Sequence, residues 1–274
     1  NKIYVGASYF NQLNIPIGLV LLFLMGIGPL LSWNYTSQSV LLNRFKLPFS
    51  VSSLAGMGYI IFSSSFQLYV FVAIMGVSFT LSSILGEFYK SYKKAKNSSN
   101  FLHSLGKMFL SNRHKNGGYI VHIGIVLLFI GFIGRAFEVE KEFSLSPGEQ
   151  IYFSNYVFKL NSIKSEAREN HYAFLSEIDV VDSSTNQLLV NLKPEKRIYF
   201  YWNSDPEKRQ PHSELDIYST IQKDIYSIFS GYDAQKNIGY FKIMINPLVN
   251  WVWIGGILMV IGSLFAFWPS RRNR

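Results

Sequence analysis

Five long stretches of the sequence carry almost no charge and are rich in large apolar side chains. They run over about residues 15–33, 48–64, 68–85, 119–137 and 248–268. A helix that crosses the hydrocarbon core of a bilayer needs roughly 20 mainly apolar residues. We therefore expect an α-helical integral membrane protein with five transmembrane helices, in which the second and third helices form a hairpin across a short Ser/Gln turn.

The composition of the chain supports this class. Only 16% of the 274 residues are charged, whereas a soluble domain carries about a quarter. The net charge of +9 would suggest a nucleic-acid partner in a soluble chain, but in a chain with these apolar stretches it indicates contact with membrane lipid and no nucleic acid. The absence of cysteine excludes disulfides, thiolate metal sites and thiol exchange by this chain.

The basic residues predict the orientation, because short cytoplasmic loops carry an excess of Lys and Arg. Residues 34–47 contain Arg44 and Lys46, residues 88–117 contain seven basic residues and no acid, and the C-terminal tail contains three arginines. These segments share one side if five helices alternate. We expect a multi-pass protein of a bacterial inner (plasma) membrane, with its C-terminus in the cytoplasm and its long loop in the periplasm. A mitochondrial inner membrane is the alternative.

The long loop between the fourth and fifth helices predicts a separate domain, because it is too long for a plain connection. We expect a membrane region over residues 1–135, an extracytoplasmic β-rich domain over 136–246, either a barrel or a sandwich, and the fifth helix with a basic tail over 247–274. Alternating or β-branched and aromatic segments predict strands, and turn-forming residues separate them. The predicted strands are 151–160, 172–181, 187–192, 197–202 and 240–245, with turns at 147–148, 182–184 and 203–206.

His122 is the residue that most suggests chemistry. It stands one turn inside the fourth apolar stretch, which has no charged residue before Arg135, and an ionisable residue inside a bilayer usually marks a functional site. A neutral imidazole there could bind a metal, and haem fits because one or two histidines can hold its iron between apolar walls. The alternative is a hydrogen bond between helices. His122 has no second histidine in the other stretches, so a second iron ligand would come from elsewhere.

The remaining candidate residues favour structural roles. His103 and His114 lie in a basic loop, His171 and His212 lie in the β-domain without a recognisable metal spacing, and Glu87 ends the third stretch beside Lys90. Gly124, Gly131 and Gly134 recur on the fourth helix, and helix packing is the favoured explanation for them. No nucleotide-binding loop, zinc motif or Ser-His-Asp arrangement is visible, so we predict no catalytic residue in this chain.

Several short segments resemble those of a known family, in the same order along nearly the whole chain. They are residues 14–19 (NIPIGL), 24–33 (LMGIGPLLSW), 116–124 (NGGYIVHIG), 147–149 (PGE), 194–197 (PEKR), 213–217 (SELDI), 224–226 (DIY) and 246–256 (NPLVNWVWIGG). This ordered set resembles the C-terminal portion of the cytochrome c maturation factor F family (CcmF-type haem lyase subunits). The Trp-rich motif, the extracytoplasmic histidines and the first transmembrane histidine of that family lie upstream of the portion that matches.

The resemblance implies a function and one site residue. His122 matches the family's second transmembrane histidine, an axial ligand of the iron of haem b. The family takes haem from a haem chaperone and attaches its vinyl groups to an apocytochrome c, together with other cytochrome c maturation subunits. The implied activity is that of a haem lyase component, a cytochrome c synthase that is expected to be inactive as this chain alone.

A second function class is also compatible with the sequence. The chain could be a structural membrane anchor that presents a β-domain to a partner complex without any cofactor, with His122 as a packing residue. The start at Asn1 without an initiator Met suggests either a fragment or a naturally split subunit.

Overall fold

The computed structural model describes residues 6–31, 37–95, 104, 106, 108–110, 112–200 and 211–268. The chain divides into two compact units. One comprises Asn1–Ala136 together with Trp251–Arg274, and the other comprises Phe137–Asn250.

The first unit is helical. Its helices are α1 (Ala7–Ile27), α2 (Gln38–Phe62), α3 (Leu68–Ala95), α4 (Arg113–Gly134) and α5 (Asn250–Phe267), and short 3-10 turns follow α1 (Gly28–Leu30) and α4 (Arg135–Phe137). Within the described residues, five helices are long and apolar enough to cross a membrane. The expectation of five transmembrane helices is therefore confirmed.

The second helix extends beyond the apolar stretch 48–64 that predicts it. α2 begins at Gln38 and contains Pro48, so the placement of Arg44 and Lys46 in a loop is wrong, since both belong to the helix. An apolar window detects only the part that crosses the hydrocarbon, whereas the helical backbone continues beyond it. A proline inside a membrane helix is tolerated because neighbouring groups satisfy the freed backbone carbonyl. Trp33 and the arginines of the tail lie outside the described residues.

Small side chains bring the first three helices together. The Thr80 hydroxyl on α3 donates a hydrogen bond of 2.8 Å to the Leu22 carbonyl on α1, and the Ser52 hydroxyl on α2 donates one of 2.9 Å to the Met75 carbonyl on α3. A Cβ atom added at Gly26 would lie only 2.6 Å from the Thr80 hydroxyl. Close approach of backbones through small residues is typical of membrane helix packing.

The second unit is a β-sandwich, which resolves the choice between barrel and sandwich. Its strands are β1 (Val139–Leu145), β2 (Gln150–Phe153), β3 (Tyr156–Ala167), β4 (His171–Asp182), β5 (Leu188–Leu192), β6 (Glu195–Tyr199), β7 (His212–Glu214), β8 (Asp216–Ser219), β9 (Lys223–Asp233) and β10 (Ile238–Pro247). One sheet has the strand order β1-β10-β9-β8, and the other has the order β2-β3-β4-β6-β7 with β5 paired to β4. All pairings are antiparallel.

Inward-facing side chains of both sheets form the core of the sandwich. Phe158 of one sheet and Phe229 and Phe241 of the other are fully or almost fully buried in one cluster. The rings of Phe229 and Phe241 stack with their centroids 4.9 Å apart. Buried residues alternate with partly buried or exposed residues along most of β10, as expected for a strand with one face in the core.

The predicted strand 151–160 is wrong, because the structure shows a hairpin there. β2 and β3 pair from Gln150↔Lys159 to Phe153↔Tyr156, and Ser154 at the turn has a φ of 55°. A two-residue turn of this kind usually contains Gly or Asn-Gly, so the serine at position 154 did not predict a turn. By contrast, the turn predicted at 182–184 is confirmed, since the Asp182 carboxylate accepts hydrogen bonds from the backbone N–H groups of Ser184 and Thr185. The turn predicted at 203–206 lies outside the described residues.

Candidate functional site

The N-terminal end of α4 is fixed by polar contacts. Asn112 caps the helix, because its side-chain oxygen accepts a hydrogen bond of 3.1 Å from the Lys115 backbone N–H. The Lys115 ammonium lies 3.2 Å from the Glu87 carboxylate of α3, and the Tyr119 ring packs edge-on against Phe88 at 5.4 Å. These contacts set the depth of α4 relative to α3.

Four glycines fix one face of α4 against α5. Added Cβ atoms at Gly117 and Gly124 would lie 2.7 Å and 2.6 Å from the carbonyl oxygens of Gly262 and Gly255 respectively. An added Cβ at Gly255 would lie 2.5 Å from the Gly124 carbonyl oxygen. The two helices therefore meet backbone to backbone at two levels, and only glycine fits there. The packing role expected for Gly124 is thus confirmed.

The opposite face of α4 carries His122. Val126 lies one turn further along the same face and is fully buried, where it packs in a cluster with Leu22 of α1 and Val77 of α3. Phe129 belongs to this cluster too, and an added Cβ at Gly18 of α1 would lie 3.4 Å from its ring. Residues three and four apart share a helix face, so His122 belongs to the face that α1 and α3 cover.

The His122 ring is partly buried. Its Nδ1 atom is enclosed and has no hydrogen-bond partner among the residues that the structure describes. An unsatisfied buried polar atom costs roughly 1–3 kcal/mol. A histidine placed to link two helices by a hydrogen bond through Nδ1 would show a partner for that atom. Within the described residues, no hydrogen bond through Nδ1 therefore supports a packing role for His122.

The surroundings of His122 fit a haem iron better than a metal held by protein alone. Within the described ranges, no group of three or more His, Asp or Glu side chains could hold a metal ion. Haem iron needs only one or two protein ligands, because the porphyrin supplies the other four, and it needs apolar walls. His122 offers one ligand beside the apolar residues Val126 and Phe129. His114, the other histidine of α4, is exposed about two turns nearer the N-terminus of the helix and does not lie beside His122.

The other histidines occupy different environments. His114 is exposed at the start of α4, with its ring 6.3 Å from that of Phe267, and His103 lies outside the described residues. His171 and His212 lie on either side of Tyr199, with ring centroids 5.0 Å and 5.8 Å from it. The sequence did not indicate this cluster, because the three residues come together only through the pairing of β4, β6 and β7.

Two of the family-like segments meet in the sandwich. Residues 195–197 of β6 pair with residues 212–214 of β7, with Arg197 opposite His212 and Lys196 opposite Ser213. The Arg197 guanidinium lies 2.8 Å from Glu195 and 3.4 Å from Glu214. Hydrogen bonding to Tyr199 and Glu195 raises the pKa of Arg197 further above its already high value, so this side chain stays charged.

Two further family-like segments also meet in the sandwich. The Asn250 side chain donates hydrogen bonds to the Asp224 carboxylate at 3.1 Å and to the Thr220 carbonyl at 2.7 Å. Asn246 pairs opposite Asp224 in the register of β9 and β10. These recognisable segments therefore contact one another at the sandwich, whereas the segment that contains His122 supplies a candidate ligand.

Comparisons with known proteins agree with this architecture. Residues 136–247 match a family model described as the CcmF C-terminal β-sandwich. The cytochrome c-type biogenesis protein CcmF of Haemophilus influenzae is 25% identical over 271 residues, which cover 98% of this chain and 40% of that relative. The CcmF protein of Pseudomonas aeruginosa is 24% identical over 268 residues, or 97% of this chain and 38% of the relative.

A solved structure titled cytochrome c heme lyase CcmF has the same fold. It superposes with a TM-score of 0.73 at 20% sequence identity, over 96% of this chain and 41% of that chain. The chain thus spans about two-fifths of the length of the curated relatives that it matches.

The fold and the site define a class: a polytopic membrane protein with a β-sandwich inserted before its last helix and an intramembrane histidine in the helix that precedes the sandwich. Residues 136–247 match the family model of the CcmF C-terminal β-sandwich, and the chain as a whole is similar to the C-terminal portion of CcmF. The resemblance inferred from the short sequence segments is therefore confirmed.

Proposed function

We propose that this chain is the C-terminal part of a membrane haem lyase of c-type cytochrome biogenesis and that His122 is an axial ligand of the iron of haem b. The single observation that carries the proposal is that the partly buried His122 ring makes no hydrogen bond through Nδ1 to the described helices, which argues against the alternative packing role. The relatives named as cytochrome c-type biogenesis proteins support the functional class.

The chain's own residues would hold and orient the haem. The glycine contacts between α4 and α5 fix the rotation of α4 about its axis, and the cluster around Val126 covers the face that carries His122. His122 is then held before any ligand arrives, which reduces the entropic cost of binding. When bound, haem b would supply the electron chemistry that the side chains of this chain lack.

The proposed reaction is the attachment of haem vinyl groups to the cysteine thiols of an apocytochrome c. Positioning two reactants in one geometry removes much of the barrier to such a step, and no side chain of this chain needs to act as an acid or base in it. The haem chaperone, the apocytochrome and other maturation subunits are the proposed partners. The proposed location is a bacterial inner membrane with the sandwich in the periplasm.

A visible spectrum of the purified protein tests the proposal. The intact protein, extracted from its own membrane in mild detergent, is expected to show the reduced spectrum of haem b. His122→Ala is expected to lose most of this pigment or to shift its absorption bands. His114→Ala is the matched control, because His114 lies on the same helix but is exposed, and it should leave the spectrum unchanged.

The alternative function, a structural anchor without cofactor, predicts a different result. The intact protein would then carry no haem, or His122→Ala and His114→Ala would retain equal amounts of pigment at equal protein yield. Either result would overturn the assignment of His122 as an iron ligand.

A further inference from the structure

A cavity of about 810 Å³ lies among the helices near the predicted cytoplasmic side. The 3-10 turn after α1, the first half of α2, the second half of α3 and the first turns of α4 line it. Tyr119 lines the cavity, but His122, one turn further along α4, does not. The cavity is therefore separate from the proposed haem ligand.

Positive charge dominates the lining of this cavity. Four cationic side chains contribute to it, Arg44 of α2, Lys90 and Lys94 of α3 and Lys115 of α4, and Glu87 is the only acid among the described lining residues. These residues come from three helices, so the fold concentrates charges that are dispersed in the sequence.

Ion pairs within the cavity lining neutralise only part of this positive charge. Glu87 lies 2.9 Å from Lys90 and 3.2 Å from Lys115, which leaves Lys94 without an ion pair among the residues that the structure describes. Arg44 is directed inward, because its Nη1 donates a hydrogen bond of 3.0 Å to the Leu30 carbonyl. The lining therefore keeps an excess of positive charge that an anion would neutralise.

Apolar side chains form the outer part of the same cavity. Leu31, Val40 and Leu47 line it and are 54%, 43% and 62% exposed. A ligand that matches both parts has an anionic group and long apolar chains. A small inorganic anion would neutralise the cationic side chains but would leave Leu31, Val40 and Leu47 exposed.

We propose that this cavity binds the phosphate headgroup of an anionic phospholipid, whose acyl chains pack along Leu31, Val40 and Leu47. Basic pockets between membrane helices are suited to anionic headgroups, and each Lys or Arg near such a surface contributes about 1 kcal/mol. Lys94 and Arg44 contact the phosphate, while Glu87 holds Lys90 and Lys115 in place. The site does not depend on the haem proposal.

Lipid retention by matched lysine variants tests the site. The intact protein is reconstituted in phosphatidylcholine nanodiscs that contain a small fraction of phosphatidylglycerol, and the lipid retained after extraction is counted by native mass spectrometry. Lys94→Gln is expected to retain phosphatidylglycerol about fivefold more weakly than the unmodified protein, from the contribution of one basic residue. Lys94→Arg, which keeps the charge, should retain it normally.

Lys93→Gln is the matched control, because Lys93 is the adjacent exposed lysine and does not line the cavity. Equal losses in Lys93→Gln and Lys94→Gln would overturn the proposal, since they would show only a general attraction to anionic lipid. A thermal stabilisation by millimolar inorganic phosphate as large as that by phosphatidylglycerol would also overturn it, because the ligand would then be free phosphate. Stabilisation by phosphatidylglycerol alone supports the lipid.

Discussion

The β-sandwich and the helical unit bury their residues in different ways. The sandwich encloses large aromatic side chains such as Phe158, Phe229 and Phe241. The helical unit buries some large side chains, such as Leu22, but its helices approach most closely at glycine, serine and threonine, and many of its large apolar side chains are exposed, among them Ile61 at 73% and Phe62 at 88%. Water drives apolar groups together, whereas lipid chains are as apolar as leucine and give helices no such reason to associate.

This contrast shows which kind of contact stabilises each unit. In the sandwich, stability should depend on the volume of the buried side chains. In the helical unit, it should depend on close approach of backbones and on hydroxyl groups that reach a neighbouring helix. Substitutions that remove side-chain volume in the sandwich core, or that push the helix backbones apart in the helical unit, test these two kinds of stabilisation separately.

Removing a large ring from the sandwich should have the largest effect. Phe229→Ala deletes a fully buried ring that stacks on Phe241, and such a change costs about 3–5 kcal/mol. Tyr152→Ala, in the same domain but 64% exposed, should change stability by less than about 0.5 kcal/mol. Hydrogen exchange of the β9 and β10 amides in the intact protein measures the difference. Similar exchange in both variants would contradict the importance of this core.

Adding one methyl group between α4 and α5 should have the next largest effect. A Cβ at Gly255 would lie 2.5 Å from the Gly124 carbonyl oxygen, whereas a Cβ at the adjacent Gly256 has nothing within 4 Å. Gly255→Ala is therefore expected to destabilise the protein by about 1–3 kcal/mol. Gly256→Ala should be neutral or slightly stabilising. Thermal unfolding in detergent compares them, and equal melting temperatures would refute the close contact.

The smallest effect concerns a surface turn of the sandwich. Hydrogen bonds from the Ser184 hydroxyl and from the Ser184 and Thr185 N–H groups lower the pKa of the Asp182 carboxyl below its usual 3.8. The charged form favours the closed turn, so the turn should be fully formed above about pH 4 and should loosen as the pH falls through the lowered pKa. The pH dependence of the Ser184 and Thr185 amide shifts in the NMR spectrum reports this. Asp182→Asn should abolish the dependence, and an unaltered titration in that variant would assign it to another group.

The same contrast explains what could be predicted from the sequence. Apolar windows were sufficient to find the five candidate membrane helices of the described residues, because a long apolar composition marks a segment that can cross a bilayer. The predicted ends of the helices were less accurate, since α2 extends in the N-terminal direction past Pro48 and Arg44 to Gln38. In the sandwich, the hairpin at Ser154 could not be predicted from the sequence, because a φ of 55° is uncommon for serine.

The candidate sites show the same limit of prediction from the sequence. His122 could be selected because a histidine among apolar residues is conspicuous in any membrane segment. The basic cavity could not be found, because Arg44, Lys90 and Lys115 are far apart in the sequence and only the packing of α2, α3 and α4 gathers them. The partnership of Glu87 with Lys115 was missed for the same reason, although the adjacent Lys90 was noted.

Chemical rescue of a His122 variant tests the central claim most directly. His122→Gly removes the proposed iron ligand and leaves a space of the shape of an imidazole ring. The account predicts that the purified variant loses most of its haem b absorption and regains it when millimolar imidazole is added during haem loading. A His122→Gly protein whose haem spectrum equals that of the unmodified protein, with or without imidazole, would contradict the account.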